Sequence, residues 1–187
     1  MKVFRPAALP DLAVIDPVVH EDPRGFLLES WHLERYRDAG IPGPFVLDVH
    51  SHSVRGALRG LHFQHPHAQG KIVRVTRGTV FDVAVDVRRG SPTFGRWWSV
   101  ELSEDNRRQL WIPPGFAHGF LTLSEAADFQ YRCTDYYARA ASRVIAWDDP
   151  ALAIEWPHRE PLLSEADAHA PSLAALEAQG LLPEYAG

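Results

Sequence analysis

Ten histidines occur in the 187-residue chain, and five crowd between residues 50 and 67: His50, His52, His62, His65 and His67. His50-Ser51-His52 and His65-Pro66-His67 share a spacing that, on a strand, aims both rings to one face. Such pairs suit a divalent transition metal. Few carboxylates accompany them, and His65 and His67 flank a proline in a loop, so those two are expected to face solvent; His52 stays open. Lysine is the second signal. Among 19 cationic residues it stands only at Lys2 and Lys71, the rest being arginine. Compositional bias explains most of that imbalance, but a compact ammonium in a strand-rich segment does different work from a planar guanidinium. Cys133 is the only cysteine, which rules out an intramolecular disulfide and a zinc site built on several thiolates.

Strands must hold these groups. The clearest run is Lys71 to Arg77, a turn at Gly78, then Thr79 to Arg88, in which Phe81, Val83, Val85 and Val87 fall two apart on one face. Similar runs span Leu12 to Val19, Gly25 to Ser30, Phe45 to His52, Leu58 to Phe63, Gly95 to Leu102, Gln109 to Ile112, Gly119 to Thr122, Ala127 to Tyr136 and Ser142 to Trp147. Such regular spacing predicts a sandwich or jelly roll rather than a doubly wound sheet. Helical signals are short: Trp31 to Ala39, stopped at Gly40; one turn opened by Ser103; and two pieces near the end, Ser164 to Asp167 and Ser172 to Gln179. No G-x-G-x-x-G, P-loop or G-x-S-x-G pattern follows a strand, so dinucleotide, P-loop and serine-hydrolase chemistries lose their usual support.

Composition narrows the classes further. Hydrophobic residues are 45% and charged residues 23%, ordinary values for a globular chain. A formal charge of −5 disfavours a general nucleic-acid binder. Apolar runs are too short to span a membrane, the first residues lack the build of a signal peptide, and the cytoplasm is the expected compartment. With no repeat or charge block to divide it, residues 1–187 read as one domain.

Around His62 the spacing becomes specific. Gly56, five residues, His62, then Gln64, six residues to Lys71 and six to Gly78 resemble the first cupin motif. Pro113-Pro114-Gly115-Phe116-Ala117-His118 resembles the second. In metal-binding cupins the slots of Gln64 and Lys71 hold a histidine and a glutamate. An ammonium facing the same cavity opposes a divalent ion, so the resemblance implies a cupin barrel without a metal, leaving His62, His118 and Lys71 for acid–base and anion work.

The likeness then tightens. Asp22-Pro23-Arg24-Gly25-Phe26, Leu58 to Gln64, Gln69-Gly70-Lys71, Val80 to Asp86, Ser91 to Gly95, Gln109 to Phe120, Trp147 to Pro150, Ile154 to Pro157 and Leu163-Ser164 with Asp167 resemble, in order, the dTDP-4-dehydrorhamnose 3,5-epimerase family. The likeness implies an all-β cupin jelly roll with a few short, mainly C-terminal helices. It also implies a homodimer with N-terminal strands exchanged and no cofactor. The implied substrate is a dTDP-linked 4-keto-6-deoxy sugar, whose C-4 ketone acidifies the hydrogens on C-3 and C-5.

By that resemblance His62 is the base, since a neutral imidazole can accept a proton. Asp167 orients it. Tyr131 is the acid, a phenol that stays protonated until an enolate needs the proton. Lys71 stabilises the enolate. Arg24 and Arg59 match cations for the diphosphate, His118 lines the pocket, Tyr137 stacks on the thymine with Tyr136 as its alternative, and Glu29 and Asp48 complete the substrate contacts. Asp82 and Asp86 read as structural hydrogen bonders. The chain departs from the family at Leu47 and Val49, which flank Asp48 where Gln and Asn are common, and at Ser142 and Ala166, where Glu and Lys are usual. Two other readings stay open here: a metal-dependent cupin using His50, His62 and His118, and a nucleotide-sugar-binding module without catalysis.

Overall fold

The alternation in Thr79–Asp86 explains the architecture. Phe81, Val83 and Val85 point one way and Val80, Asp82 and Ala84 the other, yet nearly all are buried. A strand buried on both faces needs a layer on each side. The computed structural model describes residues 1–186. Its strands are β1 (Lys2–Phe4), β2 (Ala13–Asp16), β3 (Val19–Asp22), β4 (Gly25–Leu28), β5 (Leu47–Val54), β6 (Leu58–Gln64), β7 (Lys71–Arg77), β8 (Thr79–Asp86), β9 (Trp97–Ser103), β10 (Gln109–Ile112), β11 (Phe116–Thr122), β12 (Ala126–Cys133) and β13 (Ser142–Val144). Three short helices join them: α1 (Leu33–Asp38), α2 (Glu165–Ala168) and α3 (Leu173–Ala178).

One sheet runs β1-β2-β10-β7-β12-β5 and the other β13-β6-β11-β8-β9; β3 and β4 form a hairpin with no partner strand in either. All these pairings are antiparallel. The two large sheets face each other over Val73, Val80, Leu102, Leu110, Phe120 and Phe129, the jelly-roll core. The outer face of the second sheet, with Leu61, Phe63, Val83, Val85 and Leu121, is capped by Ile145, Leu152, Trp156 and the α3 leucines Leu173 and Leu176. The tail is therefore a structural layer. On the outer face of the first sheet, Ala13, Ile15, Ile72 and Trp111 lie under Tyr36 and Ile41, leaving its β5–β12 end polar and open.

The expected elements shift in places. The run from Leu12 to Val19 breaks into β2 and β3, because Pro17 removes a donor between them. The first helix is shorter than Trp31 to Ala39, with His32 as its cap. Ser103 does not open a helix: its hydroxyl accepts the Asn106 N–H at 3.1 Å while Asn106 Oδ1 accepts the Ser103 N–H, closing a turn.

Candidate active site

His62 stands on β6, and its register partner on β11 is His118, so both rings face the interior. The strands approach closely just before this pair. A Cβ on Gly60, which has φ 127°, would lie 2.5 Å from the Gly119 Cα and 2.8 Å from the His118 carbonyl oxygen. Only glycine fits there. The register shifts between His118 and Phe120, a bulge that bends the strands beside the ring.

His62 Nε2 lies 2.6 Å from Asp167 Oδ1. Asp167 is 3% exposed, whereas the His62 side chain is 42% exposed, so the carboxylate is shut behind a ring that meets the cleft. Ser164 holds the second oxygen, donating to Oδ2 at 2.7 Å and accepting the Asp167 N–H as cap of α2. Burial pushes the Asp167 carboxyl up, but the hydrogen bonds from His62 and Ser164 outweigh it, and the group sits below the usual carboxylate range.

The opposite wall comes from the other sheet. Lys71 opens β7 with Cys133 as its cross-strand neighbour on β12, and Tyr131, two residues earlier on β12, shares that inward face. His62, Lys71, Tyr131, Tyr137, Ser142 and Ala166 line one open cleft of about 380 Å³. Burial draws the Lys71 ammonium below its ordinary value, with Cys133 and Asp82 working against that shift. Burial also raises the Tyr131 phenol, which keeps it protonated at neutral pH. The Cys133 thiol is pushed up to about 11 by burial and stays uncharged. Base and phenol thus face each other across one cleft, with a cation on the phenol's side.

Other expected residues fall elsewhere. His118 is 7% exposed and does not line the cleft; its Nε2 lies 3.0 Å from Asp82 Oδ2, and its ring stacks on Phe129. It is a floor residue. Asp48 is on the outer face of its sheet, where alternation along β5 must put it, and it pairs with Arg132 at 3.0 Å. Arg24 lies in the turn between β3 and β4, 90% exposed and paired with Asp22, and Glu29 pairs with Arg35; neither lines the cleft. Arg59 donates to Ser53 Oγ at 2.9 Å and to the His52 carbonyl, and its charge acts on Tyr131. Tyr137 lines the cleft and Tyr136 does not. His50 and His52 face outward toward Asp128, away from His62 and His118, so the metal trio does not converge. No group of three or more His, Cys, Asp or Glu side chains suited to a metal occurs among the described residues.

The comparisons with known proteins agree. The family description of dTDP-4-dehydrorhamnose 3,5-epimerase matches residues 6–175. This chain belongs to that family. A dTDP-4-dehydrorhamnose 3,5-epimerase of Pseudomonas aeruginosa is 54% identical over 176 residues, 93% of this chain and 97% of the relative. A dTDP-6-deoxy-D-glucose-3,5-epimerase from Legionella pneumophila, solved in complex with dTDP-4-keto-L-rhamnose, superposes with a TM-score of 0.96 at 48% identity, covering 100% of this chain and 99% of that one. A 4-keto-6-deoxy sugar epimerase from the novobiocin cluster of Streptomyces spheroides gives 0.94 at 40% identity, covering 100% and 94%.

Within this family member, sequence reasoning gave Asp82 a structural role and Ser164 none. Asp82 is fully buried beneath the cleft, against His118 and close enough to Lys71 for their charges to interact. Its one sequence signal was polarity at an inward position of an apolar strand. Asp86, by contrast, only ties Arg88, Ser91 and Thr93 together.

Proposed function

We propose that this epimerase inverts both C-3 and C-5 of a dTDP-linked 4-keto-6-deoxy hexose. The observation that carries the reading is the placement of His62 and Tyr131 on opposite walls of one cleft, beside Lys71. His62 takes the proton from the carbon beside the ketone, and the electron pair moves onto the C-4 oxygen. Lys71 stabilises that enolate in a cleft where a point charge acts strongly. Asp167 holds the ring and stabilises its charged form. Tyr131 returns a proton to the other face; solvent then reprotonates the phenolate and removes the proton from His62. The ketone supplies the acidity, so the scheme needs no cofactor.

Tyr137, exposed at the rim, is suited to stack on the thymine, and Arg59 to meet the diphosphate. The remaining cation, Arg24, reaches the cleft of a second copy in a homodimer. The exposed apolar residues Phe26 and Leu27 beside it support that reading. We place the enzyme in the cytoplasm, where a buried free thiol such as Cys133 persists; among the described residues no helix is long and apolar enough to cross a membrane.

The test is turnover of dTDP-4-keto-6-deoxyglucose in heavy water, read by position. Deuterium at C-3 and C-5 with both centres inverted is expected. Label at one carbon alone limits the enzyme to a single inversion, and no label at either refutes the reading.

A further inference from the structure

The β3–β4 hairpin, residues 19–28, stands apart from both large sheets. Among the described residues, the side-chain hydrogen bond and the cation–π contact between it and the body of the protomer both end on one residue, Arg107. Arg107 Nη1 donates to Glu21 Oε1 at 2.6 Å, and its guanidinium lies over the Phe26 ring, 4.1 Å from the centroid. Glu21 and Phe26 are register partners, so one guanidinium grips both strands at the same level, one pair below Asp22 and Gly25. Arg24 sits just past that level.

Arg107 is itself held. Its φ of 53° lies in the left-handed region, which a long side chain adopts only when its surroundings impose it. The imposing contacts are local: the Arg107 N–H donates to the Ser103 carbonyl, Asn106 Oδ1 accepts the N–H groups of Ser103 and Arg108, and Arg108 Nε reaches Asp16 Oδ1 at 3.0 Å. The loop between β9 and β10 is therefore a post braced against β2, with one cation projecting onto the hairpin.

We infer that Arg107 is a positioning residue that sets the direction of the β3–β4 hairpin, and so the placement of Arg24 in the second copy's cleft. This rests on the two-copy reading of Arg24 given above. Arg107 touches no substrate; it lowers the cost of ordering the arm before substrate arrives. A part-exposed ion pair and a cation over a ring together supply roughly a tenfold bias toward the gripped state.

The experiment uses the full chain with dTDP-4-keto-6-deoxyglucose as the probe, and compares Arg107→Ala, Arg107→Lys, Glu21→Gln and Arg24→Ala. Arg107→Ala is expected to raise KM roughly tenfold, with kcat held within about twofold, and to speed amide exchange in residues 19–28 alone. Arg107→Lys keeps the charge but loses the planar cover, so it should recover part of the loss. Glu21→Gln should fall between wild type and Arg107→Ala, and it leaves the strained loop untouched. Wild-type KM and wild-type exchange in Arg107→Ala, with Arg24→Ala impaired, overturn the inference while sparing the two-copy reading. An unaltered KM in Arg24→Ala overturns the two-copy reading itself. A dimer that dissociates in Arg107→Ala at assay concentration also overturns the inference, since Arg107 would then serve assembly rather than direction.

Discussion

Two histidine–aspartate pairs of nearly equal geometry stand in this molecule. His62 and Asp167 lie 2.6 Å apart on the inner side of the second sheet, and His52 and Asp128 lie 2.7 Å apart on the outer side of the first. Both aspartates are held below the ordinary carboxylate range, Asp128 chiefly by its hydrogen bond to His52. The surroundings separate them. Asp167 is sealed behind its histidine and bonded to Ser164, and its histidine faces a cation and a phenol. Asp128 is shared between two exposed histidines on an open strand face. A hydrogen-bonded imidazole is common; one whose partner is dry, and which looks across a cleft at an acid, is equipped for proton transfer.

The sharpest way to break this comparison is to remove each ring. His62→Ala should cut deuterium incorporation roughly a hundred- to ten-thousand-fold while leaving dTDP affinity near wild type. His52→Ala should leave both alone. Near wild-type incorporation in His62→Ala would end the assignment of the base.

Tyr131→Phe tests the opposing wall. The ring and its contact with Phe129 remain, but the donor is gone. Enolisation by His62 and Lys71 should persist in part, with label returning to the original face, so exchange should outrun inverted product by on the order of tenfold or more. Inverted sugar formed at the wild-type rate would move the acid elsewhere. The same variant must bind dTDP normally, because a shifted backbone would mimic the loss.

Asp167→Asn and Asp128→Asn compare the two carboxylates directly. The first should lower kcat about ten- to a hundredfold, the usual cost of a charge-assisted hydrogen bond to a working group, and less than loss of His62. The second should lie within about twofold of wild type.

The smallest effect is on stability. Because folding lowers the Asp167 pKa, its carboxylate stabilises the protein above the unfolded value of about 3.9, and that contribution fades as the pH falls through the still lower folded value. Urea melts should therefore separate wild type from Asp167→Asn at pH 6–7 and bring the two progressively together as the pH falls below about 3.9. A gap that widens in acid would contradict this sign.

Much of the site was legible along the chain. His62, Lys71 and Tyr131 lie on strands whose apolar alternation is plain in the sequence, Asp167 follows a capping serine, and motif order singles out all four; the structure brings His62, Lys71 and Tyr131 to one cleft with Asp167 behind His62. A motif match carries no facing: on β5 Leu47 and Val49 take the inward positions, and the period of two sends Asp48 out. The depth of His118 is not legible along the chain either, since it depends on how Phe120 and Phe129 stack around its ring.

By itself the sequence determined the strand-rich sandwich, the family and the order of the candidate residues, because alternation, turns and motif spacing are local properties written in neighbouring residues. Tertiary structure alone decided which histidine–aspartate pair is sealed and which is open, that the buried Asp82 lies beneath Lys71, and that a single arginine grips both strands of an unsupported hairpin. The two histidine–aspartate pairs and the arginine's grip on the hairpin join residues 76 to 105 positions apart in the chain, brought together only when the two sheets close and the tail packs on them. Closure sets burial, burial sets the strength of each charge, and neither quantity exists in an extended chain.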